Sequence, residues 1–153
     1  MDARVELDSV VINRPIEEVF SFLTNMENSP VWGRSKSTTQ ISNGTVSVGT
    51  RFREISAGSE EGIEMETVIT GLEPPVSYSY TVRYENGIEE RARVSLEDVA
   101  GGTRVQPTAE IQLPDVPQDQ EGAVVAEMRT EVKGILENLK SCLEDNSPTA
   151  TGP

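Results

Sequence analysis

The sequence predicts an α+β fold: seven antiparallel strands, two short helices after the first strand, and one long helix at the C-terminal end. Two observations carry most of this. Turn signals at Asn43-Gly44, Gly58 to Gly62, Pro74-Pro75, Asn86-Gly87 and Gly101-Gly102 divide residues 35–113 into strand-length pieces. Beyond them, Val125, Met128, Val132, Ile135, Leu136, Leu139 and Leu143 recur at the spacing of one helix face.

The first strand is read from Arg4 to Asn13, where Val5, Leu7, Val10, Val11 and Ile12 are mostly β-branched, with a slip of phase near Ser9 and Val10. Asn13-Arg14-Pro15 then opens a helix. Proline is tolerated in a first turn, Glu17 and Glu18 complement the positive helix N-terminus, and Val19, Phe20, Phe22 and Leu23 form an apolar face. Thr24-Asn25-Met26-Glu27 resembles a capping box and predicts a second, short helix ending near Trp32-Gly33. Six strands follow, at about 35–42, 49–56, 63–72, 76–85, 88–98 and 103–113. Pro114 to Gly122 reads as a polar loop before the long helix. The domain is assigned to residues 1–145, and 146–153, small and polar with prolines, to a flexible tail.

The fifth of these strands is the most informative. Val76-Ser-Tyr-Ser-Tyr-Thr-Val-Arg-Tyr84 alternates strictly and places Tyr78, Tyr80 and Tyr84, all three tyrosines of the chain, on one face with Val76 and Val82. A tyrosine needs an apolar bed and a partner for its hydroxyl, so such a face either fills core or lines a cavity that is apolar but not dry. Its register follows from the next turn. A two-residue Asn86-Gly87 loop would turn Arg91 and Arg93 into the core, whereas a three-residue loop with a left-handed Gly87 pairs Tyr84 with Ile88 and Tyr80 with Ala92. The bulged turn is therefore predicted. Extended outward, this register gives an inner face of Phe52, Glu54, Ile63, Met65, Thr67, Ile69, Val76, Tyr78, Tyr80, Val82, Tyr84, Ile88, Glu90, Ala92, Val94, Leu96, Val105, Pro107, Ala109, Ile111 and Leu113. It pairs Glu54 with Ile63 and Val82 with Glu90.

Composition narrows the chemistry. The 153 residues suffice for one domain with its own core. A net charge of −13, with no basic run, makes nucleic acid and anionic membranes poor partners. The absence of histidine removes Ser-His-Asp and Cys-His catalysis and histidine metal ligation together. A single cysteine, Cys142, leaves no internal disulfide and no cysteine metal cluster. No apolar run reaches membrane-spanning length, and Met1 to Arg4 has none of the features of a signal peptide, so the expected location is the cytoplasm, without membrane insertion. Neither a metal nor an organic cofactor is expected. Exposed sheet edges and a long helix leave a homodimer open.

Strand, two short helices, six strands and a long helix is the order of the helix-grip fold. Ile12-Asn13-Arg14-Pro15-Ile16-Glu17-Glu18-Val19-Phe20-Ser21-Phe22-Leu23, then Pro30-Val31-Trp32, Gly102-Thr103-Arg104-Val105 and the closing Leu139-Lys140 helix carry a resemblance over about residues 4–145. The chain resembles the SRPBCC (START/Bet v 1-like) superfamily, in its bacterial polyketide cyclase/dehydrase and lipid-transport branch. Relatives often carry Asp where Asn25 stands, and either residue can cap a helix. The resemblance implies a curved sheet wrapped around the long helix, with a cavity between them for a lipid- or polyketide-like molecule. Fold alone does not select among the carriers, enzymes and co-chaperones of such a superfamily.

Three readings follow. In the leading one, a small hydrophobic or aromatic molecule occupies the cavity against Trp32, Phe52, Met65, Tyr78, Tyr80, Tyr84, Ala92, Ala109 and Met128. For Trp32 and Met128 the competing role is core packing. In the second, a cyclase or dehydratase uses an inward glutamate, Glu54 or Glu90, with a tyrosine as donor. Those carboxylates lie three strand spacings apart, roughly 14 Å on a flat sheet, which excludes an acid/base dyad. Both fall near hairpin ends and are expected at a solvated rim. The third reading is a protein-interaction module.

Overall fold

The computed structural model describes residues 2–57, 62–85, 87–112 and 116–145, with backbone alone for Asp2 and Ala3. Asn86, Leu113, the Gly58 to Glu61 part of the predicted turn and the 146–153 tail lie outside the described residues. The strands are β1 (Asp2–Glu6), β2 (Val10–Ile12), β3 (Ser35–Gln40), β4 (Arg51–Ser56), β5 (Glu64–Glu73), β6 (Ser77–Tyr84), β7 (Glu89–Val99) and β8 (Gly102–Gln112). The helices are α1 (Ile16–Thr24), α2 (Ser29–Trp32) and α3 (Glu121–Asp145), with 3-10 turns at Met26–Asn28 and Gln118–Gln120. All strands join one antiparallel sheet in the order β1-β8-β7-β6-β5-β4-β3, with β2 also on β8. The expected first strand is thus two strands. The phase slip at Ser9 and Val10 is realised as a break, which lets Val5 and Ile12 both face the core.

The register of the tyrosine strand follows the predicted bulged turn. Tyr80 pairs with Ala92 and Val82 with Glu90. The Tyr84 amide donates to the Ile88 carbonyl at 2.9 Å, and Gly87 is left-handed at φ 89°. The β4–β5 hairpin departs from prediction: Glu54 pairs with Met65, and Ile63 instead accepts from the Ser56 amide. A slip of two residues keeps each side chain on its face, so the inner face survives while the partners change. Val76 is a second correction. It closes a Glu73–Val76 turn, its amide bonded to the Glu73 carbonyl at 2.8 Å, and its side chain is exposed rather than inward. A bulge between Ile69 and Gly71 of β5 adds local twist and brings Leu72 opposite Tyr78.

The entry into α1 is as expected, with Pro15 as N-cap and Glu17 and Glu18 in the first turn. The capping box is not formed. Thr24 is buried and its hydroxyl donates back to the Phe20 carbonyl at 2.8 Å, while the Glu27 carboxylate accepts from the Gln40 amide at 3.1 Å. A hydroxyl drawn back into its own helix cannot cap the next one.

The long helix is held at one end. Leu136, Leu139 and Leu143 are buried against Ile12, Val19, Phe20, Leu23, Trp32, Tyr78, Leu96 and Val105. Lys140 donates to the Val11 carbonyl at 2.8 Å, Glu144 accepts from the Asn13 amide at 2.8 Å, and Arg14 donates to the Glu144 carbonyl at 3.0 Å. Toward its N-terminus the contacts thin: Val125, Met128 and Val132 are only half-buried over the small cluster of Val5, Leu7 and Ala109. Truncation should register this asymmetry. Leu139→Ala is expected to lower unfolding free energy by about 2–5 kcal/mol, the usual range for a buried leucine, and Met128→Ala by less than about 1 kcal/mol. Urea denaturation of the two variants checks it, and equal losses would contradict the loosely packed N-terminal half.

Candidate functional site

The site is built where the sheet's inner face and α3 part. Ala92 of β7 and Ala109 of β8 are paired neighbours, and two methyl groups cannot reach a helix crossing above them. A cavity of about 440 Å³ lies over them. Its sheet wall is Tyr78, Tyr80, Val82 and Tyr84 of β6 with Met65, Ala92 and Ala109; its helix wall is Glu127, Met128, Glu131, Val132 and Ile135; Trp32 and Arg34 border it as well. Of the expected binding residues, Trp32, Met65, Tyr78, Tyr80, Tyr84, Ala92, Ala109 and Met128 line this cavity. Phe52 does not: it is fully buried with Met26 and Ile69 in a separate cluster, because β4 lies beyond β5 from the cavity floor.

The aromatic wall is ordered. Tyr78 and Tyr80 stack at 6.0 Å between centroids, and Phe20 meets Tyr78 edge-on at 6.1 Å. Burial raises the pKa of all three tyrosines, and the Glu90 charge adds to this at Tyr84. All three therefore remain phenols at neutral pH, and the Tyr84 hydroxyl donates to Glu90.

Arg34 is the residue that sequence reasoning missed. Gly33, left-handed at φ 89°, ends α2, and Arg34 returns its amide to the Ser29 carbonyl at 3.1 Å. The side chain then enters the protein, where one terminal nitrogen donates to Glu54 at 2.5 Å and to the Ser29 hydroxyl at 3.2 Å. The guanidinium lies 4.9 Å from the centroid of the Tyr80 ring, a cation–π contact. Glu54 corrects the expectation of a solvated rim: it is wholly buried, and it also accepts from Thr38 at 2.6 Å and from the buried Thr67 hydroxyl. Ser35 completes the chain at 2.7 Å from Thr38. A signal for Arg34 existed, since an inward glutamate in an apolar face demands a cation.

The two inward glutamates have opposite electrostatics. Burial pushes Glu54 up, but the Arg34 charge and hydrogen bonds from Arg34, Thr38 and Thr67 outweigh it and hold the carboxyl below its ordinary value. For Arg34, burial pulls down, and Tyr80 and Glu54 turn the net shift upward. The result is a fixed ion pair, outside the cavity lining on the Glu54 side. Glu90 lines the cavity, and its hydrogen bond is from the Tyr84 hydroxyl at 3.2 Å. There burial raises the pKa and wins over the lowering effects of Arg34 and Tyr84, with Glu131 adding to the rise. The strands bearing Glu54 and Glu90 are separated by β5 and β6 in the sheet.

The family described as polyketide cyclase/dehydrase and lipid transport matches residues 4–144, and the chain belongs to that family. Comparison with curated proteins finds no match. Among solved structures, Ara h 8.0201 is similar at 15% identity and a TM-score of 0.73, covering 95% of this chain and 100% of that one. A Rhodobacter sphaeroides protein is similar at 21% identity and a TM-score of 0.70, covering 94% and 93%. DynU16, from the dynemicin biosynthetic locus, is similar at 18% identity and a TM-score of 0.66, covering 96% of this chain and 48% of that one. At these identities the likeness establishes the helix-grip, Bet v 1-like fold.

Two outcomes follow from the carboxylates. Arg34→Met leaves Glu54 buried without its cation and should cost about 3–5 kcal/mol at neutral pH in urea denaturation, with much of the loss recovered by adding Glu54→Leu. Failure of the second change to recover stability would show that the pair is not the cause. For Glu90 the sign is reversed from the usual carboxylate. Its folded-state pKa is raised, so the native state holds the proton more tightly, and stability falls as pH rises from the ordinary carboxylate value through the raised one. Glu90→Gln should remove that falling component, which denaturation midpoints measured from acid to neutral pH would reveal.

Proposed function

We propose that this protein binds a small hydrophobic or aromatic molecule, lipid- or polyketide-like in character, in the cavity between the sheet and α3. The single observation that carries the reading is the Ala92–Ala109 pair beneath a space of about 440 Å³ walled by tyrosines, which lies within the range of 300–1,000 Å³ usual for ligand sites. Membership of the family supports it. The phenols and the Arg34 guanidinium give a bound molecule a few oriented donors within a mostly apolar enclosure, the usual composition of such sites. Of the two glutamates considered for proton transfer, Glu90 alone borders the cavity, so a cyclase or dehydratase reading reduces to Glu90 with Tyr84. Glu54 is committed to its ion pair.

Trp32, the one tryptophan of the chain, lines the cavity and serves as an internal reporter. N-phenylnaphthylamine, a neutral aromatic probe, is expected to bind with a rise in its fluorescence and with energy transfer from Trp32. Ala109→Leu adds bulk to the cavity floor where it meets the Val5 and Leu7 cluster, so it should weaken probe binding at least about tenfold, at a stability cost of about 1–3 kcal/mol. Unchanged probe affinity in a folded Ala109→Leu variant would overturn the assignment of the cavity as the binding site.

A further inference from the structure

The charges bordering the cavity do not balance. Arg34 is the one basic side chain in its lining, and it is committed to Glu54, which lies outside that lining. Three carboxylates remain: Glu90 on the sheet wall, and Glu127 and Glu131 one turn apart on α3. Among the described residues none of the three has an ion-pair partner, whereas Glu18, Glu54, Glu64, Glu66, Glu89, Glu97 and Glu144 do. Two like charges at i and i+4 are mutually unfavourable, and a surface helix would ordinarily relieve them with a lysine or arginine. Both are solvent-exposed and stand at the border of the cavity.

Glu90 is the most constrained of the three. It is half-buried opposite Val82 in the cavity lining, with the Tyr84 hydroxyl donating to one carboxylate oxygen. A carboxyl in an apolar hollow either keeps its proton to a higher pH or is met by a positive group when it ionises. The carboxylates are not grouped so as to hold a metal ion, since among the described residues no three acidic, histidine or cysteine side chains are so arranged. An occupant that meets carboxylates on both walls must be extended, with an apolar body for the aromatic surface and one positive centre.

Resting on the binding function proposed above, we infer that the cavity selects organic cations, ligands that join an aromatic or aliphatic body to an ammonium group, with Glu90 as the residue that reads the charge and Glu127 and Glu131 reinforcing it from the helix. The aromatic wall supports this choice, because a phenol ring attracts a cation through its face. One face of Tyr80 is already taken by Arg34, which leaves Tyr84, beside Glu90, as the ring nearest the ammonium. The groups facing Glu90 are Tyr84 on β6, Arg34 before β3 and Glu131 on α3.

The test compares benzyltrimethylammonium, whose charge is independent of pH, with neopentylbenzene, its neutral counterpart of the same shape, as competitors for bound N-phenylnaphthylamine. The cation should displace the probe about tenfold more effectively than the neutral compound, and Glu90→Gln should erase that advantage, read as the ratio of the two displacement constants in the same variant. Should Glu90→Gln not fold, the double variant Glu127→Gln with Glu131→Gln, on the outer half of α3, should reduce the same preference. Equal displacement by both compounds, or a preference untouched by these substitutions, overturns the selection of cations while the binding function stands. If neither compound nor the probe binds, both are overturned.

Discussion

The constraint on which the rest of this structure depends is the burial of one carboxylate on the inner face of the sheet. Glu54 is fully enclosed, and a lone charge there would be prohibitively unfavourable. Its solution draws in the segments around it. Arg34 arrives from the end of α2, Thr38 from β3 and Thr67 from β5, while the Ser29 hydroxyl accepts from the same guanidinium nitrogen as Glu54 and the guanidinium lies over the Tyr80 ring. Such a pair adds little to stability compared with a well-packed apolar alternative, because both groups must be desolvated. What it supplies is position. α2 and the 3-10 turn before it pack against β3, and with Arg34 reaching Glu54 this placement brings Trp32 and the guanidinium to the edge of the cavity.

The pair also divides the interior into two regions with different properties. On its far side Phe52, Met26 and Ile69 are fully packed and leave no space. On its near side the Ala92–Ala109 pair opens the floor, and the helix above is fixed by Leu136, Leu139 and Leu143 but only loosely seated at Met128. A helix tied at its C-terminal half by Lys140, Glu144 and Arg14 can yield at the other half without disturbing the main core. The least stable part of a fold is where ligand entry is least costly, and here that part borders the cavity.

Much of this was legible in the residues. The strict alternation of β6 and the incompatibility of Arg91 and Arg93 with an interior specify the Tyr84–Ile88 and Tyr80–Ala92 pairings, since a one-residue slip would reverse every side chain. The β4–β5 hairpin lacked such a discriminator. A slip of two residues preserves the face, so an alternating pattern cannot separate Glu54–Ile63 from Glu54–Met65, and a glycine-rich connection imposes no single turn. Val76 was misplaced for a related reason, because alternation continues into the turn although the strand does not. The Arg34–Glu54 contact was not legible as a pairing at all. It joins residues from a helix end and a strand, for which no periodicity exists.

Glu54 and Glu90 show why residue type alone could not assign the site. Both are glutamates on inward strand positions, and both are removed from bulk water. Glu54 receives a guanidinium and two hydroxyls, and its pKa is lowered despite burial; Glu90 receives one phenol and a neighbouring carboxylate, and its pKa is raised by burial. The first is therefore a permanent anion whose charge is spent inside the scaffold. The second is a carboxylate in the cavity lining, whose proton is lost at a higher pH than that of an ordinary glutamate. A scaffold needs the former to be insensitive to its surroundings. A binding site gains from the latter, because a group held in an unfavourable environment has most to gain from whatever enters to relieve it.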